Sequence, residues 1–369
     1  MRAVGIGAII GAAALWLVSQ SGAIAEDWQK EWADVQAKAK GQELNLVVHS
    51  YEAHEAVARE FQRRFPDIKV NVTPATPSST APRIVTEQKN GIYAWDSWWA
   101  STGNMTSVVL PVGGFDPISD YFILPEVKDL SNWRRPDLLY SSDKRPYIVV
   151  HSYYQEGTGF WNTNVVKGFK LDNFDTLLDP RLKGMITIEE PKRANAGAFA
   201  TAFLLKEKGE AFARKFLVDQ DPTFLSITRQ VTDSVVRSEK VVALGGNPET
   251  VGRCWKSGGC KNVQRIPNLV YLLGRGVGVL KNAPHKEATK VWINWLLSKE
   301  GQEVYVQTWA KTNDSGAVSM RKDVEPDPHH LDSVPDYANL DKLISVATDR
   351  GQADVDAAIK LYTQISEQR

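Results

Sequence analysis

The chain has 369 residues, 43% of them hydrophobic, with Lys+Arg and Asp+Glu balanced at 44 each. That balance removes the one-signed field a nucleic-acid binder relies on, so a polyanionic partner is not expected. The length exceeds what one hydrophobic core normally supports, which makes two domains the expectation.

Met1-Arg2 supplies a positive charge, Ala3 to Val18 is a Gly/Ala/Ile/Leu-rich apolar run, and Ala23-Ile24-Ala25 ends it with a small-x-small pattern. Residues 1–25 therefore read as a signal peptide cleaved after Ala25, which directs the chain to the periplasm. A membrane anchor fits less well, because the run is short, glycine-rich and followed by polar sequence. No cysteine follows the cleavage site to carry a lipid, and no later segment approaches the ~20 apolar residues of a membrane helix.

A polar, helical lead-in from Trp28 to Lys40 precedes LNLVVHS (Leu44 to Ser50), a buried strand. Val57, Phe61 and Phe65 then recur at helical spacing, Pro66-Asp67 ends that helix, and IKVNVTP is a second strand. PATPSSTAP reads as a loop, RIVTEQKNG as a helix closed by Gly91, and YAWDSWWAS as a third strand. These βα repeats imply an α/β sheet with helices on both faces and a ligand edge at the strand C-termini.

Pro146 to Val166, PYIVVHSYYQEGTGFWNTNVV, breaks an apolar strand into a tyrosine pair, a Gly-Thr-Gly and a second strand, the pattern of a link between two lobes. KGMITIEEP is a strand feeding KRANAG and the helix AFATAFLLKEKG, so a second α/β lobe follows. YLLGRGVGVLKNAP is one long strand or a strand pair. Ala288, Val291, Trp292, Trp295 and Leu296 then form an apolar helical stripe whose tryptophans read as core. Asp323 to Asp336, with His329-His330, reads as a solvated surface connection, and Ala338 to Glu367 as one or two amphipathic helices. Cys254 and Cys260 enclose a glycine-rich turn; in an oxidising compartment they form a disulfide that contributes only ~2 kcal/mol by chain entropy, and half a zinc site lacks further ligands nearby.

LNLVVHS, the Asp96-led strand, HSYYQEGTGFWNTNVV, LDPRLKGMITIEEP and NAPHKEATKVWINWLLSKEGQ together resemble the extracellular solute-binding proteins of bacterial ABC importers, in particular their ferric-iron-binding-like branch. The resemblance implies a type 2 periplasmic-binding-protein fold: α/β, two-lobed, each lobe a mixed, mainly parallel sheet flanked by helices, with the ligand cleft between them. It implies lobe 1 over 26–150, lobe 2 over 151–278, a return to lobe 1 over 279–312, and a C-terminal helical segment, 313–369, packed on the lobes. The first crossover is expected near His151 to Gln155 and the return near Gly276 to Lys281. The implied activity is capture of a small polar solute, anionic or aromatic, by hinged closure and delivery to an inner-membrane ABC permease. The resemblance further implies a monomer that needs no cofactor and carries out no catalysis.

Strand and helix ends supply the candidate contacts: Ser50, Tyr51 and His54 after the first strand, Ser101 and Thr102 after the third, and Tyr153 and Tyr154 in the crossover. In lobe 2, Arg193, Asn195 and Gly197 lie where a strand enters a helix, and Asn247, Glu249 and Thr250 form the GGNPET turn; each is also an ordinary cap or turn former. Tyr51, Trp98, Trp99, Tyr153, Tyr154 and Trp161 are an aromatic supply for stacking, although neighbouring Trp98 and Trp99 must face opposite ways.

Ferric iron is the alternative cargo. Ferric-binding relatives use a tyrosine pair late in lobe 2, where this chain has VALGGNPET without tyrosine, which leaves Tyr51, Tyr153 and Tyr154 as an alternative phenolate set. A secreted enzyme is the further alternative, but Glu189-Glu190 and His49-Ser50 are strand neighbours that face apart, and no G-x-S-x-G elbow occurs.

Overall fold

The computed structural model describes residues 27–140, 146–157, 159–266, 269, 271–312, 317–328, 334–338 and 349–368. The signal segment and His329-His330 lie outside them. Helix α1 (27–39) precedes β1 (Glu43–His49), α2 (Glu52–Arg64), β2 (Lys69–Ala75), α3 (Pro77–Lys89) and β3 (Ser97–Ser101). β1 pairs in parallel with both β2 and β3. Side chains alternate across this sheet: Leu44, Leu46, Val48 and Trp99 enter the core beneath α2, whereas Val47, Trp98 and Ala100 enter the one beneath α3. The tryptophan pair thus divides between two cores, and both rings are fully buried.

Helix α3 starts earlier than its composition predicts, because PATPSSTAP ends β2 at Pro74-Ala75 and opens the helix at Pro77 instead of forming a loop. Pro77 occupies a first-turn position where an N–H is not needed, and its fixed φ suits the helix. The Thr80 hydroxyl donates to the Thr76 carbonyl (2.9 Å) and helps hold the turn together.

Lobe 1 continues with β4 (Phe115–Asp116) and β5 (Ile148–Glu156). The chain then builds lobe 2 from β6 (Gly159–Asn162), β7 (Ile186–Glu189), α4 (Ala196–Lys208), α5 (Glu210–Val218), β8 (Thr223–Leu225), α6 (Thr228–Val236), β9 (Val242–Leu244), α7 (Pro248–Lys256) and β10 (Val263–Arg265). It returns through β11 (Tyr271–Leu280), α8 (Lys286–Leu297) and α9 (Lys299–Thr312), and α10 (Asp349–Ser366) follows. Lobe 1 has the strand order β2-β1-β3-β11-β4 with β5 also on β11; lobe 2 has β10-β6-β9-β7-β8. Parallel pairing covers only β2-β1-β3 and β9-β7-β8, so the sheets are less parallel than expected. The connecting strands β5, β6, β10 and β11 all pair antiparallel.

Each sheet is covered on both faces. Helices α2, α8 and α9 share the larger lobe 1 core, and α4, α5 and α10 the larger lobe 2 core. In the first, Phe61 meets Trp292 edge-on at 5.2 Å, and Trp292 and Trp295 are both buried as their spacing predicts. Each such large side chain withdrawn from water contributes roughly 1.5–3 kcal/mol.

The crossing differs from expectation in one place. β5 and β11 pair along nearly their whole length, and beyond Ser152 and Arg275 they continue as a two-stranded ribbon, Tyr153–Glu156 against Tyr271–Gly274. The chain leaves the lobe 1 sheet along this ribbon beyond Ser152. The return enters lobe 1 before Arg275, not at Gly276 to Lys281, which is already embedded: Gly276 lies opposite Ala100 and Gly278 opposite Trp98. These glycines serve close packing, since a side chain at Gly276 would meet Thr102 Cγ2 and Ile148 Cγ2 at 2.7 and 2.8 Å. His151 is the extra residue of a bulge at the root of the ribbon.

After α9 the chain is not α-helical over 317–328 and 334–338, and it stays on lobe 1: Met320 N–H donates to His151 O (2.8 Å), and Arg135 donates to Tyr337 O (2.9 Å). Helix α10 instead packs on α4 and α5, burying Val355, Ala358, Leu361 and Ile365 in lobe 2. Cys254 and Cys260 are disulfide-bonded with Cα atoms 5.7 Å apart, which clips the end of α7 to the approach of β10.

Candidate functional site

A cleft of about 610 Å³ opens between the lobes, where β1, β3, β7 and several helices end. Open α/β sheets place their ligand sites at such strand ends because backbone donors and side chains converge there. Lobe 1 contributes His49 and Tyr51 from the end of β1, Ser101 from the end of β3, and Thr76, Pro77 and Ser78 from the start of α3. Lobe 2 contributes Glu189 from the end of β7, Arg193 and Asn195 ahead of α4, Thr228 at the start of α6, and Asn247 ahead of α7. Leu273 of the ribbon lies on the same surface, and α10 adds Gln352, Asp356 and Ile359.

Of the residues singled out from sequence, Tyr51, Ser101, Arg193, Asn195 and Asn247 share this cleft. Asn195 and Asn247 also cap their helices, accepting from Ala198 N (2.9 Å) and Thr250 N (3.0 Å). Each asparagine thus caps a helix and lines the cleft.

Gly197 and Thr250 of lobe 2 do not line the cleft, and four lobe 1 candidates lie elsewhere. Ser50 is exposed and does not line the cleft. His54 is fully buried, because the first turn of α2 points it inward against the rings of Trp99 and Trp309. Thr102 is buried and donates to Gly274 O (3.3 Å). Tyr153 turns into the lobe 1 core and donates to Leu138 O (3.2 Å), with burial pushing its phenol up. The Tyr51, Tyr153, Tyr154 phenolate set is therefore not assembled as proposed. The side chains of Tyr154 and Glu249 lie outside what is described. Among the described residues no three His, Cys, Asp or Glu side chains are grouped to hold a metal ion. Trp98, Trp99 and Trp161 are core residues, so Tyr51 is the one member of the aromatic supply placed in the cleft among those described.

His49 and Glu189 were legible by the same rule that found Tyr51 and Ser101, since each ends a strand. Phe199, Gln352 and Asp356 carried no sequence signal, because their place depends on which lobe their helices pack against.

Glu189 decides much of the electrostatics. Only 4% exposed, it accepts from Ala196 N (3.1 Å) and from the Thr228 hydroxyl (2.9 Å), so its own carboxylate occupies the N-terminus of α4. Burial raises its carboxyl above the usual range, while Thr228, the Gly197 and Ala196 amides and Arg193 pull it back. Gly197 is required here because any side chain would overlap the Glu189 carbonyl.

Beneath the lobe 1 floor lies Arg275, 3% exposed, its guanidinium carbon 3.8 Å from the centre of the Trp309 ring and 4.8 Å from that of Tyr51. Three imidazoles surround it. Burial, reinforced by the charge of Arg275, brings His49 and His151 down to about 3 and His54 well below its ordinary value, so all three are neutral at pH 7. His49 Nδ1 lies 3.2 Å from the Ser101 hydroxyl at the cleft surface.

A model of the bacterial extracellular solute-binding protein family matches residues 56–340. An uncharacterised protein of Haemophilus influenzae is 27% identical over 308 residues, covering 80% of this chain and 83% of that one. Among solved structures, iron-bound HitA from Pseudomonas aeruginosa superposes with a TM-score of 0.64 at 18% identity, over 88% of this chain and 99% of that one. AfuA from Actinobacillus pleuropneumoniae with fructose-6-phosphate bound gives 0.64 at 19% identity, over 87% and 99%. Trichodesmium FutA in complex with iron and citrate gives 0.61 at 21%, over 88% and 99%. At these identities the structures are alike in fold, a two-lobed periplasmic-binding-protein architecture.

Proposed function

The chain belongs to the bacterial extracellular solute-binding protein family, and from that premise we propose that it captures a small polar organic solute, anionic or aromatic, in the periplasm and hands it to an inner-membrane ABC permease. The observation that carries this is the 610 Å³ cleft lined from both lobes by hydroxyls, amides and charged groups. A solute touching both walls binds the closed arrangement better than the open one, and that difference alone shifts the equilibrium. Moving from 1:99 to 99:1 takes about 5.5 kcal/mol, within reach of a few hydrogen bonds from Ser101, Arg193, Asn195 and Asn247 with a ring stacked on Tyr51. The two-stranded ribbon of β5 and β11 is the pivot in this reading. Removal of residues 1–25 delivers the mature monomer, which is checked by N-terminal sequencing for a start at Glu26.

The test is a thermal-shift screen of purified mature protein against organic acids, sugars, phosphorylated compounds, amines and Fe(III). A solute bound only by the folded protein stabilises it by RT ln(1 + [L]/Kd), about 2.7 kcal/mol at a hundredfold excess over Kd. One responding solute class supports the reading. Chemical conversion of the solute, or no response throughout, counts against it.

A further inference from the structure

The two walls of the cleft differ in charge. Lobe 1 lines it with His49, Tyr51, Ser78, Ser101, Asn104 and Ser107 and no carboxylate or ammonium group, burial keeps His49 neutral, and the guanidinium of Arg275 is buried against the Tyr51 ring. Lobe 2 and α10 place two carboxylates, Glu189 and Asp356, on the opposite wall together with Arg193. Arg193 acts on the Glu189 carboxylate, so part of its charge is already balanced within lobe 2. Glu189 also fills the helix N-terminus that would otherwise attract an anion to that wall.

The Tyr51 ring sharpens the asymmetry. An aromatic face attracts cations through its quadrupole, yet the far face of this ring already carries a guanidinium. A second cation on the near face would meet that positive field, whereas an anion would be drawn by it. The Ser101 and Ser78 hydroxyls and the Asn104 amide line the same lobe 1 side of the cleft as donors.

We propose that the cleft holds a small organic anion in one orientation, its charged group on the lobe 1 floor beside Tyr51 and Ser101 and its hydroxyl or amine donors turned to Glu189 and Asp356. This rests on the reading that the cleft is the solute site. Glu189 is then a specificity-determining residue that rejects anionic groups from lobe 2 and selects donors there. An anion lacking donors engages one wall only and does not bridge the lobes.

Isothermal calorimetry on the mature protein tests this with matched probes: hexoses and their 6-phosphates, hydroxy acids and the corresponding polyols, amino acids and the corresponding amines, and orthophosphate alone. The expected result is at least tenfold tighter binding of one donor-bearing anion than of its uncharged or cationic counterpart and than of orthophosphate. Asp356→Asn, an exposed substitution, and Glu189→Gln should each weaken that anion threefold or more and leave orthophosphate unchanged. Arg275→Met should weaken both; where it fails to fold by circular dichroism, Tyr51→Glu puts a carboxylate on the floor and should cost the anion at least tenfold. Binding confined to neutral or cationic probes, or an anion indifferent to all these substitutions, overturns the orientation while leaving solute capture standing. No binding by any probe overturns both.

Discussion

His54 shows how a residue that looks like a ligand becomes part of a core. Neither of its ring nitrogens has a hydrogen-bond partner among the described residues, and its ring stands edge-on to the indoles of Trp99 (4.3 Å) and Trp309 (5.2 Å). Neutral burial of His49, His54 and His151 makes stability depend on pH. An unfolded histidine takes up a proton near pH 6.5, whereas the folded ones resist down to about 3 or beyond. Their contribution is therefore complete above pH 6.5 and is lost as pH falls below it, by ~1.4 kcal/mol per pH unit for each histidine. Urea midpoints measured from pH 7 to pH 5 should decline accordingly, and His54→Leu should flatten the decline by one proton's worth while staying within ~1 kcal/mol of wild type at pH 7. Gly197→Ala is the opposite case. Its new methyl would overlap the Glu189 carbonyl, so denaturation should show a loss of ~1–3 kcal/mol, and solute affinity should fall with it.

At the scale of elements, local pattern and tertiary placement separate cleanly. Strand β1, helix α2 and helix α8 were readable because alternation and the i, i+3, i+4 stripe survive without knowledge of the partner. Helix α3 was half hidden by its prolines: Pro77 sits in the first turn, where a helix accepts it, but Pro82 lies inside the helix. Helix α10 was readable as amphipathic, but nothing in its residues says that it packs on lobe 2 and lines the cleft with Gln352 and Asp356. Deleting residues 349–369 should therefore do more than trim a tail: it uncovers the apolar contacts of α4 and α5, and calorimetry should show a destabilised lobe 2 and lost solute binding. The disulfide acts more locally. Replacing Cys254 and Cys260 together by alanine should cost ~2 kcal/mol in denaturant titration and leave far-UV circular dichroism unchanged, since so short a loop stores little entropy.

For the whole molecule, the proposed pivot is the ribbon that β5 and β11 form beyond Ser152 and Arg275, and the chain passes between the lobes once more ahead of α10. Closure about that ribbon predicts a smaller radius of gyration by small-angle scattering with a bound solute than without; an unchanged radius with verified binding would sink hinge closure. The two-lobed plan was legible from repeated βα units and from the break at Tyr153-Tyr154. The cleft's polarity was not, because it arises where Glu189 meets α4 and where Arg275 of a late strand slides behind Tyr51 of an early one. Such pairings between distant parts of a chain leave no local pattern.

The threading of the chain also governs the order in which it can fold. Strand β11 must insert beside β3, some 170 residues earlier (Arg275 lies opposite Ser101), and lobe 2 lacks part of its core until α10 arrives. Neither lobe can finish while the chain is still emerging from the ribosome, because each waits for sequence made late. Loop closure over such separations is slow, and a nascent chain so arranged stays open for longer than one whose domains are consecutive. If residues 1–25 direct the chain across a membrane unfolded, as the proposed reading has it, that delay favours translocation without a device dedicated to the purpose.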